Sequence, residues 1–119
     1  MSKVLIVEDD ELLREIYATK LEMEGFTVHT ASDGVEGLQL AKTVDPDIIL
    51  LDMIMPRMTG LEFLAAYKSP PRAKTVIMSN KSSTKEINQA KALGVLDYLI
   101  KSQLTPQDIV VRVNEYLAK

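Results

Sequence analysis

Two acidic groups in this sequence each follow an apolar run. Glu8–Asp10 comes directly after Val4–Val7, and Asp52 comes directly after Ile48–Leu51. If both runs are buried strands of one parallel sheet, their carboxyl ends meet at one edge and the carboxylates crowd together. Crowded carboxylates repel each other unless a cation holds them, and oxygen ligands of this kind suit Mg²⁺. The pattern predicts a hard-metal site that leaves one carboxylate free to react.

Short apolar runs alternate with longer segments of helical period along the whole chain. The runs are continuous rather than alternating, which is typical of parallel strands covered on both faces. They are Val4–Val7, Phe26–Thr30, Ile48–Leu51, Val76–Met78 and Tyr98–Ile100. Right-handed crossovers between five such strands predict an α/β fold, a three-layer sandwich around a doubly wound parallel sheet of five strands.

The helical segments carry their own boundary signals. In three of them a hydroxyl precedes an acid by three residues, as in a capping box: Thr59–Glu62, Ser83–Glu86 and Thr105–Asp108. Asp10 is predicted to cap the first helix, and Gly25 and Gly94 are predicted to end helices in the left-handed conformation.

Length and composition indicate one domain, residues 1–119, with 46% apolar residues to build its core. The net charge is −3 and the 14 basic residues are scattered, so no nucleic-acid partner is predicted. The absence of cysteine excludes disulfides and thiolate metal sites. The chain starts close to its first strand, and no apolar run approaches the ~20 residues of a membrane span. We therefore expect a soluble, cytoplasmic protein without a membrane partner.

Five motifs in order resemble those of the receiver domain of two-component response regulators. The resemblance covers the chain from Val4 to about Leu117. The five are Val7–Asp9, Asp52–Pro56, Gly60, Ser79 and Tyr98–Lys101. The resemblance implies a chemotaxis-regulator-like, flavodoxin-like (βα)5 fold with strand order 2-1-3-4-5.

The resemblance also implies roles for the acidic residues. Asp52 is the expected phosphoacceptor, a nucleophile that forms an acyl phosphate. Asp9 and Asp52 are the expected direct ligands of Mg²⁺, and the backbone carbonyl of Ile54 adds a third oxygen. Glu8 is expected to hold a metal-bound water.

Other residues are expected to bind the phosphoryl group or to respond to it. Lys101 would pair with Asp52 and later with the phosphoryl oxygens. Ser79 would move to bond the new group, and Tyr98 would rotate inward once Ser79 moves. Asn80 would either narrow access to Asp52 or donate a hydrogen bond to the phosphoryl group.

Two departures from the family pattern concern the same site. Members usually carry proline after the lysine of the fifth strand, where Ser102 stands here. Without proline a cis bond costs about 3 kcal/mol, so we predict a trans Lys101–Ser102 bond. Ile54 and Lys81 flank the path of the attacking water, and neither offers an acceptor to orient it. Self-dephosphorylation is therefore expected to be slow, on the order of tens of minutes to hours.

The function implied is a phosphoacceptor signalling switch rather than an enzyme. A histidine kinase, a phosphotransfer protein or a small acyl phosphate would donate to Asp52. Phosphorylation would change the surface formed by the fourth helix, fifth strand and fifth helix, and this surface would control a downstream protein. Leu96 stands where one dimerising subfamily has an acid, although Asp97 and Arg112 match. A monomer or a weak, phosphorylation-dependent dimer is expected.

Two alternatives stay open. The first is a degenerate receiver that binds partners without phosphorylation. In such a receiver one of the acidic residues of the site or its lysine is expected to be missing, and this sequence retains all of them. The second is a Mg²⁺-dependent phosphohydrolase. Such enzymes place a second aspartate two residues after the nucleophile, where Ile54 stands here, and they also carry an inserted cap.

Overall fold

In a computed structural model that describes residues 2–67, 73–80 and 83–118, five strands alternate with five α-helices. The strands are β1 (Lys3–Val7), β2 (Thr27–Ala31), β3 (Ile48–Asp52), β4 (Lys74–Ser79) and β5 (Asp97–Ile100). The helices are α1 (Glu11–Met23), α2 (Gly34–Val44), α3 (Gly60–Ala66), α4 (Thr84–Ala92) and α5 (Pro106–Leu117). Each predicted strand is present, and β4 extends beyond the predicted Val76–Met78 at both ends.

The five strands form one parallel sheet in the order β2-β1-β3-β4-β5. This confirms the predicted α/β class and strand order. In the register, Val7 lies beside Leu51, and Asp52 lies beside Met78. The carboxyl ends of β1, β3 and β4 therefore lie at one edge, where ligands bind in sheets of this type.

The core lies on both faces of the sheet. Alternate residues of β1 and β3 point to opposite faces, so a continuous apolar run fills two layers. On one face Leu5 and Leu51 pack with α2, α3 and α4, and on the other Ile6 and Leu50 pack with α1 and α5. All five residues of β3 are buried, Asp52 included.

The helix boundaries follow the predicted caps. Thr59 and Thr105 form capping boxes with Glu62 and Asp108, and the Ser83 hydroxyl accepts the Glu86 N–H. The Asp10 side chain accepts the Leu13 N–H at 3.1 Å, as predicted for the first helix. Gly25 and Gly94, at φ +95° and +94°, follow α1 and α4 in the left-handed region. Within the described ranges, no helix combines the length and apolarity of a membrane span.

Candidate functional site

Three carboxylates converge at the carboxyl edge of β1 and β3. Glu8 and Asp9 follow β1, and Asp52 is the last residue of β3. One carboxylate oxygen from each lies within 4.8 Å of the others. Glu8 is 1% exposed and Asp52 is 7% exposed, whereas Asp9 is open to solvent. The structure therefore brings together the three acids that the sequence assigned to a metal site.

Lys101 supplies a positive charge to this cluster. Its Nζ lies 3.2 Å from Asp52 Oδ1 and also donates to Glu8 Oε1. The side chains of all three residues are largely buried. The lysine thus contacts Asp52, as expected, and is shared with a second carboxylate, that of Glu8.

Both carboxylate oxygens of Glu8 are engaged within the protein. Oε1 accepts from Lys101, and Oε2 accepts the Asp10 N–H at 3.1 Å. A glutamate reaches one methylene further than an aspartate, which allows Glu8 to contact the lysine directly. A side chain held at both oxygens is better suited to bind a metal-bound water than to coordinate the metal directly.

The charges of the cluster change the proton affinity of its members. Burial raises the pKa of Asp52 to about 7, and the negative charge of Glu8 acts in the same direction, while Lys101 opposes both. Burial by itself would lower the pKa of Lys101, but its hydrogen bond to Glu8 and the charge of Asp52 outweigh burial and raise it. A cation that binds here therefore competes with a proton on Asp52.

Ser79 and Tyr98 are in direct contact. Ser79 ends β4 and is buried, and Tyr98 lies half-buried on β5. A side-chain hydrogen bond joins them, and it lowers the pKa of the Tyr98 hydroxyl, although burial has the larger effect and raises it. The two residues that the resemblance assigned to the switch are thus neighbours.

The remaining predicted site residues lie at the rim. Ile54 is 51% exposed beside Asp52, and Asn80 is exposed after β4. Asn80 lines a groove of about 370 Å³ together with Lys101 and Ser102. Lys81 lies outside the described residues. The Lys101–Ser102 bond is trans, as predicted, and Lys101–Gln103 form a 3₁₀ turn.

Sequence reasoning missed two residues of α1 that reach this site. The Tyr17 ring is buried on the sheet side and lines the same groove as Lys101. Burial is the main reason that the pKa of Tyr17 is raised, and the nearby charge of Lys101 opposes the rise. Arg14 Nη1 donates to the backbone carbonyl of Glu8 at 2.8 Å. Arg14 comes one helical turn after Asp10, and this spacing could have indicated that the two side chains lie on the same face of the helix.

Gly60 lies against the end of β3, the strand that carries Asp52. A Cβ at this position would lie 2.8 Å from the Asp52 carbonyl oxygen and 3.0 Å from the Met53 Cα. Both are backbone atoms, so the segment that carries Asp52 would have to move.

Gly60→Ala is therefore expected to lower the free energy of unfolding by about 1–3 kcal/mol, the usual cost of overpacking. Urea unfolding measures the loss, and the NMR signals of Asp52 and Met53 should shift. Ala65→Ser, at an exposed position of the same helix, is the matched control. Unchanged stability together with unmoved signals would contradict the expectation.

The comparisons with known proteins agree with this geometry. Residues 4–114 match the family model of the response regulator receiver domain. Among curated proteins, the probable transcriptional regulator ycf27 of Guillardia theta is 31% identical over 98% of this chain and 46% of its own length. The DNA-binding response regulator MtrA of Mycobacterium tuberculosis is 28% identical over 98% of this chain and 51% of its own. The chain thus spans about half the length of these relatives.

Solved structures share the whole fold. The Vibrio cholerae chemotaxis protein CheY4 superposes with a TM-score of 0.89 at 30% identity, covering 97% of this chain and 98% of its own. A CheY-like receiver domain protein of Methanospirillum hungatei gives a TM-score of 0.93 at 28% identity, covering 99% and 94%. From the family match, the order of the strands and the acidic edge with its lysine, the chain belongs to the response regulator receiver domains, a regulatory rather than a catalytic family.

Proposed function

We propose that this chain is a phosphoacceptor switch in a two-component phosphorelay, with Asp52 as the residue that takes the phosphoryl group. The observation that carries the proposal is the buried Asp52 carboxylate, which lies against two further acids and one lysine. This arrangement is costly for folding alone, because buried like charges repel. It is useful for a reaction that needs charge neutralisation and positioning.

The donor set fits Mg²⁺. All three converging side chains offer carboxylate oxygen, and no histidine or cysteine stands among them. Asp9, Asp52 and the backbone carbonyl of Ile54 would hold the ion, while Glu8 would hold one of its waters. Bound Mg²⁺ would supply positive charge to the phosphoryl oxygens.

The proposed reaction takes place at the Asp52 carboxylate. One of its carboxylate oxygens forms a bond to phosphorus while the bond from phosphorus to the donor's imidazole nitrogen breaks, and that electron pair leaves with the imidazole. A small acyl phosphate would donate in the same way, with a carboxylate as the leaving group. Lys101 stays close enough to pair with a phosphoryl oxygen, and Ser79 and Asn80 offer further hydrogen bonds.

The switch would use the hydrogen bond between Ser79 and Tyr98. A phosphoryl group adds about two negative charges and three strong acceptors, which attract the Ser79 hydroxyl. Its movement breaks the existing bond to Tyr98, and the Tyr98 ring then adopts another rotamer. The surface formed by α4, β5 and α5 then changes, and a downstream protein partner reads the change.

An apolar surface on α1 supports docking of the phosphodonor, a histidine kinase or a phosphotransfer protein. Leu12 is 66% exposed and Met23 is 74% exposed, and both line one groove with Ile16 and Pro106. Ile16 and Pro106 also line the groove that contains Lys101. A helix of the donor placed on this apolar surface would bring its phosphohistidine toward Asp52.

The proposal includes residues 1–119 as a single receiver domain, a cytoplasmic location, and a monomer or weak phosphorylation-dependent dimer. The Asp97 carboxylate accepts from the Tyr116 hydroxyl at 2.5 Å and from the Tyr98 N–H at 2.8 Å. These internal bonds compete with an ion pair to a second chain. Leu96 is exposed beside Asp97 and offers an apolar contact instead.

Incubation with Mg²⁺ and a small acyl phosphate, or with beryllofluoride, tests the proposal. Intact-mass measurement should detect one phosphoryl group on the wild type and none on Asp52→Ala, and beryllofluoride should shift the NMR signals of Ser79 and Tyr98. If the folded wild type gives neither response, the proposal is wrong and the phosphorylation-independent receiver is favoured.

Ile54→Asn is expected to shorten the lifetime of the phosphorylated protein by about tenfold, because an amide can orient the attacking water where an isoleucine cannot. Loss of labelled phosphate over time measures the rate. Ile54→Leu, which is equally apolar, is the control. Wild-type loss within seconds, or equal rates for the Asn and Leu variants, would contradict the expectation.

A further inference from the structure

The Glu8–Asp9 peptide unit is bound by Arg14, and the peptide units before and after it are held by hydrogen bonds of their own. Strand pairing ends here, since β1 stops at Val7. The Glu8 N–H donates to the Ala31 carbonyl at 3.0 Å, and the Glu8 carbonyl accepts from Arg14 at 2.8 Å. The Asp10 N–H in turn donates to the Glu8 carboxylate at 3.1 Å. Arg14 therefore binds a carbonyl that lies beyond the sheet ladder.

This carbonyl belongs to the same peptide plane as the nitrogen of Asp9. Its orientation sets the direction in which the chain leaves Glu8 and thereby restricts the directions in which the Asp9 side chain can point. Asp9 is exposed, so packing does not hold it. Charge-assisted hydrogen bonds are stronger and more directional than neutral ones, and a half-buried guanidinium can fix the plane.

We infer that Arg14 is a positioning residue of the acidic site, which directs the Asp9 carboxylate toward Asp52 by fixing the Glu8–Asp9 peptide plane. The inference rests on the proposed function, in which Asp9 is a Mg²⁺ ligand. Arg14 makes no direct contact with the metal in this scheme. Residues that orient a metal ligand commonly change metal affinity by about 10- to 100-fold when they are replaced.

Electrostatics and positioning predict opposite results for this residue. Arg14 is a cation next to a cation site, so removal of its charge would by itself strengthen Mg²⁺ binding. If Arg14 acts by orienting Asp9, its removal weakens Mg²⁺ binding despite the favourable change in charge. The sign of the effect separates the two roles.

The test is a calorimetric Mg²⁺ titration of the wild type, Arg14→Met, Arg14→Lys and Lys20→Met. Lys20→Met removes the same charge from the same helix. We expect Arg14→Met to bind Mg²⁺ about tenfold more weakly and Arg14→Lys to lie between it and the wild type. Lys20→Met should bind as tightly as the wild type or slightly more tightly.

A second measurement does not involve the metal. In Mg²⁺-free protein, the amide NMR signals of Asp9 and Asp10 should shift in Arg14→Met and stay in place in Lys20→Met. Equal or tighter Mg²⁺ binding by Arg14→Met overturns the inference while the proposed function stands. If the wild type itself binds no Mg²⁺, both fail. If Arg14→Met does not fold, unchanged Mg²⁺ affinity in Arg14→Lys overturns the inference.

Discussion

Lys101→Met is expected to lower the free energy of unfolding of the Mg²⁺-free protein by about 3 kcal/mol near pH 8, because it leaves buried carboxylates without their counter-charge. Glu8 and Asp52 both contact the ammonium, and neither reaches enough water to replace it. Methionine keeps the length and apolar stem of the side chain, so the charge is the main difference.

The loss of stability should depend on pH. Without Lys101 the pKa of Asp52 rises further, because the charge that lowered it is gone. Protonation near pH 5 then relieves the repulsion, and the loss should be smaller there than near pH 8. Urea unfolding in a chelating buffer at both pH values measures the loss of stability, and Lys42→Met is the surface control. An equal loss at both pH values would contradict the electrostatic explanation.

Asp52→Asn is expected to stabilise the Mg²⁺-free protein by about 2 kcal/mol near pH 8 and to have little effect near pH 4. The pKa of Asp52 is raised from its ordinary value of 3.8 to about 7. A raised pKa means that the wild type is most stable below pH 4 with respect to this group, and that it loses stability as the pH rises through 7. The asparagine stays neutral, so the variant avoids this loss.

Excess Mg²⁺ should reverse the order of stability. The ion binds the wild-type carboxylates and stabilises the folded state by mass action, whereas the variant lacks one expected ligand. Thermal unfolding with and without Mg²⁺ near pH 8 measures both effects, and Glu15→Gln, an exposed change on α1, is the control. A variant that is less stable than the wild type without Mg²⁺ would show that repulsion at Asp52 is not a dominant cost.

The fold was largely predictable because its signals are local. Continuous apolar runs indicate strands buried on both faces, and a hydroxyl three residues before an acid indicates where a helix begins. Strand ends were less predictable where side chains are amphipathic. Lys74, at the start of β4, extends an apolar stem and donates its ammonium to the Tyr116 carbonyl at 2.5 Å, so a charged residue belongs to a buried strand.

The acidic edge was also predictable, because the positions of strand ends follow from topology. The sharing of Lys101 by two carboxylates was not, since Glu8 and Lys101 are 93 positions apart and their contact depends on side-chain reach. Tyr17 and Arg14 were missed for a related reason. The helical pattern of α1 predicts that Tyr17 lies in the core and that Arg14 is a surface charge. Their proximity to the site depends on how α1 crosses the strand ends, which the helical pattern does not indicate.

The sharing of Lys101 bears on which ions the site selects. When Glu8, Asp9 and Asp52 are all ionised, the lysine cancels one of their three negative charges. A potassium ion would leave one charge uncompensated beside two buried side chains, whereas a divalent ion balances the site. Without the lysine, a trivalent ion would be the better match. The lysine therefore sets the preferred valence of the bound ion, separately from any preference for ionic radius or coordination geometry.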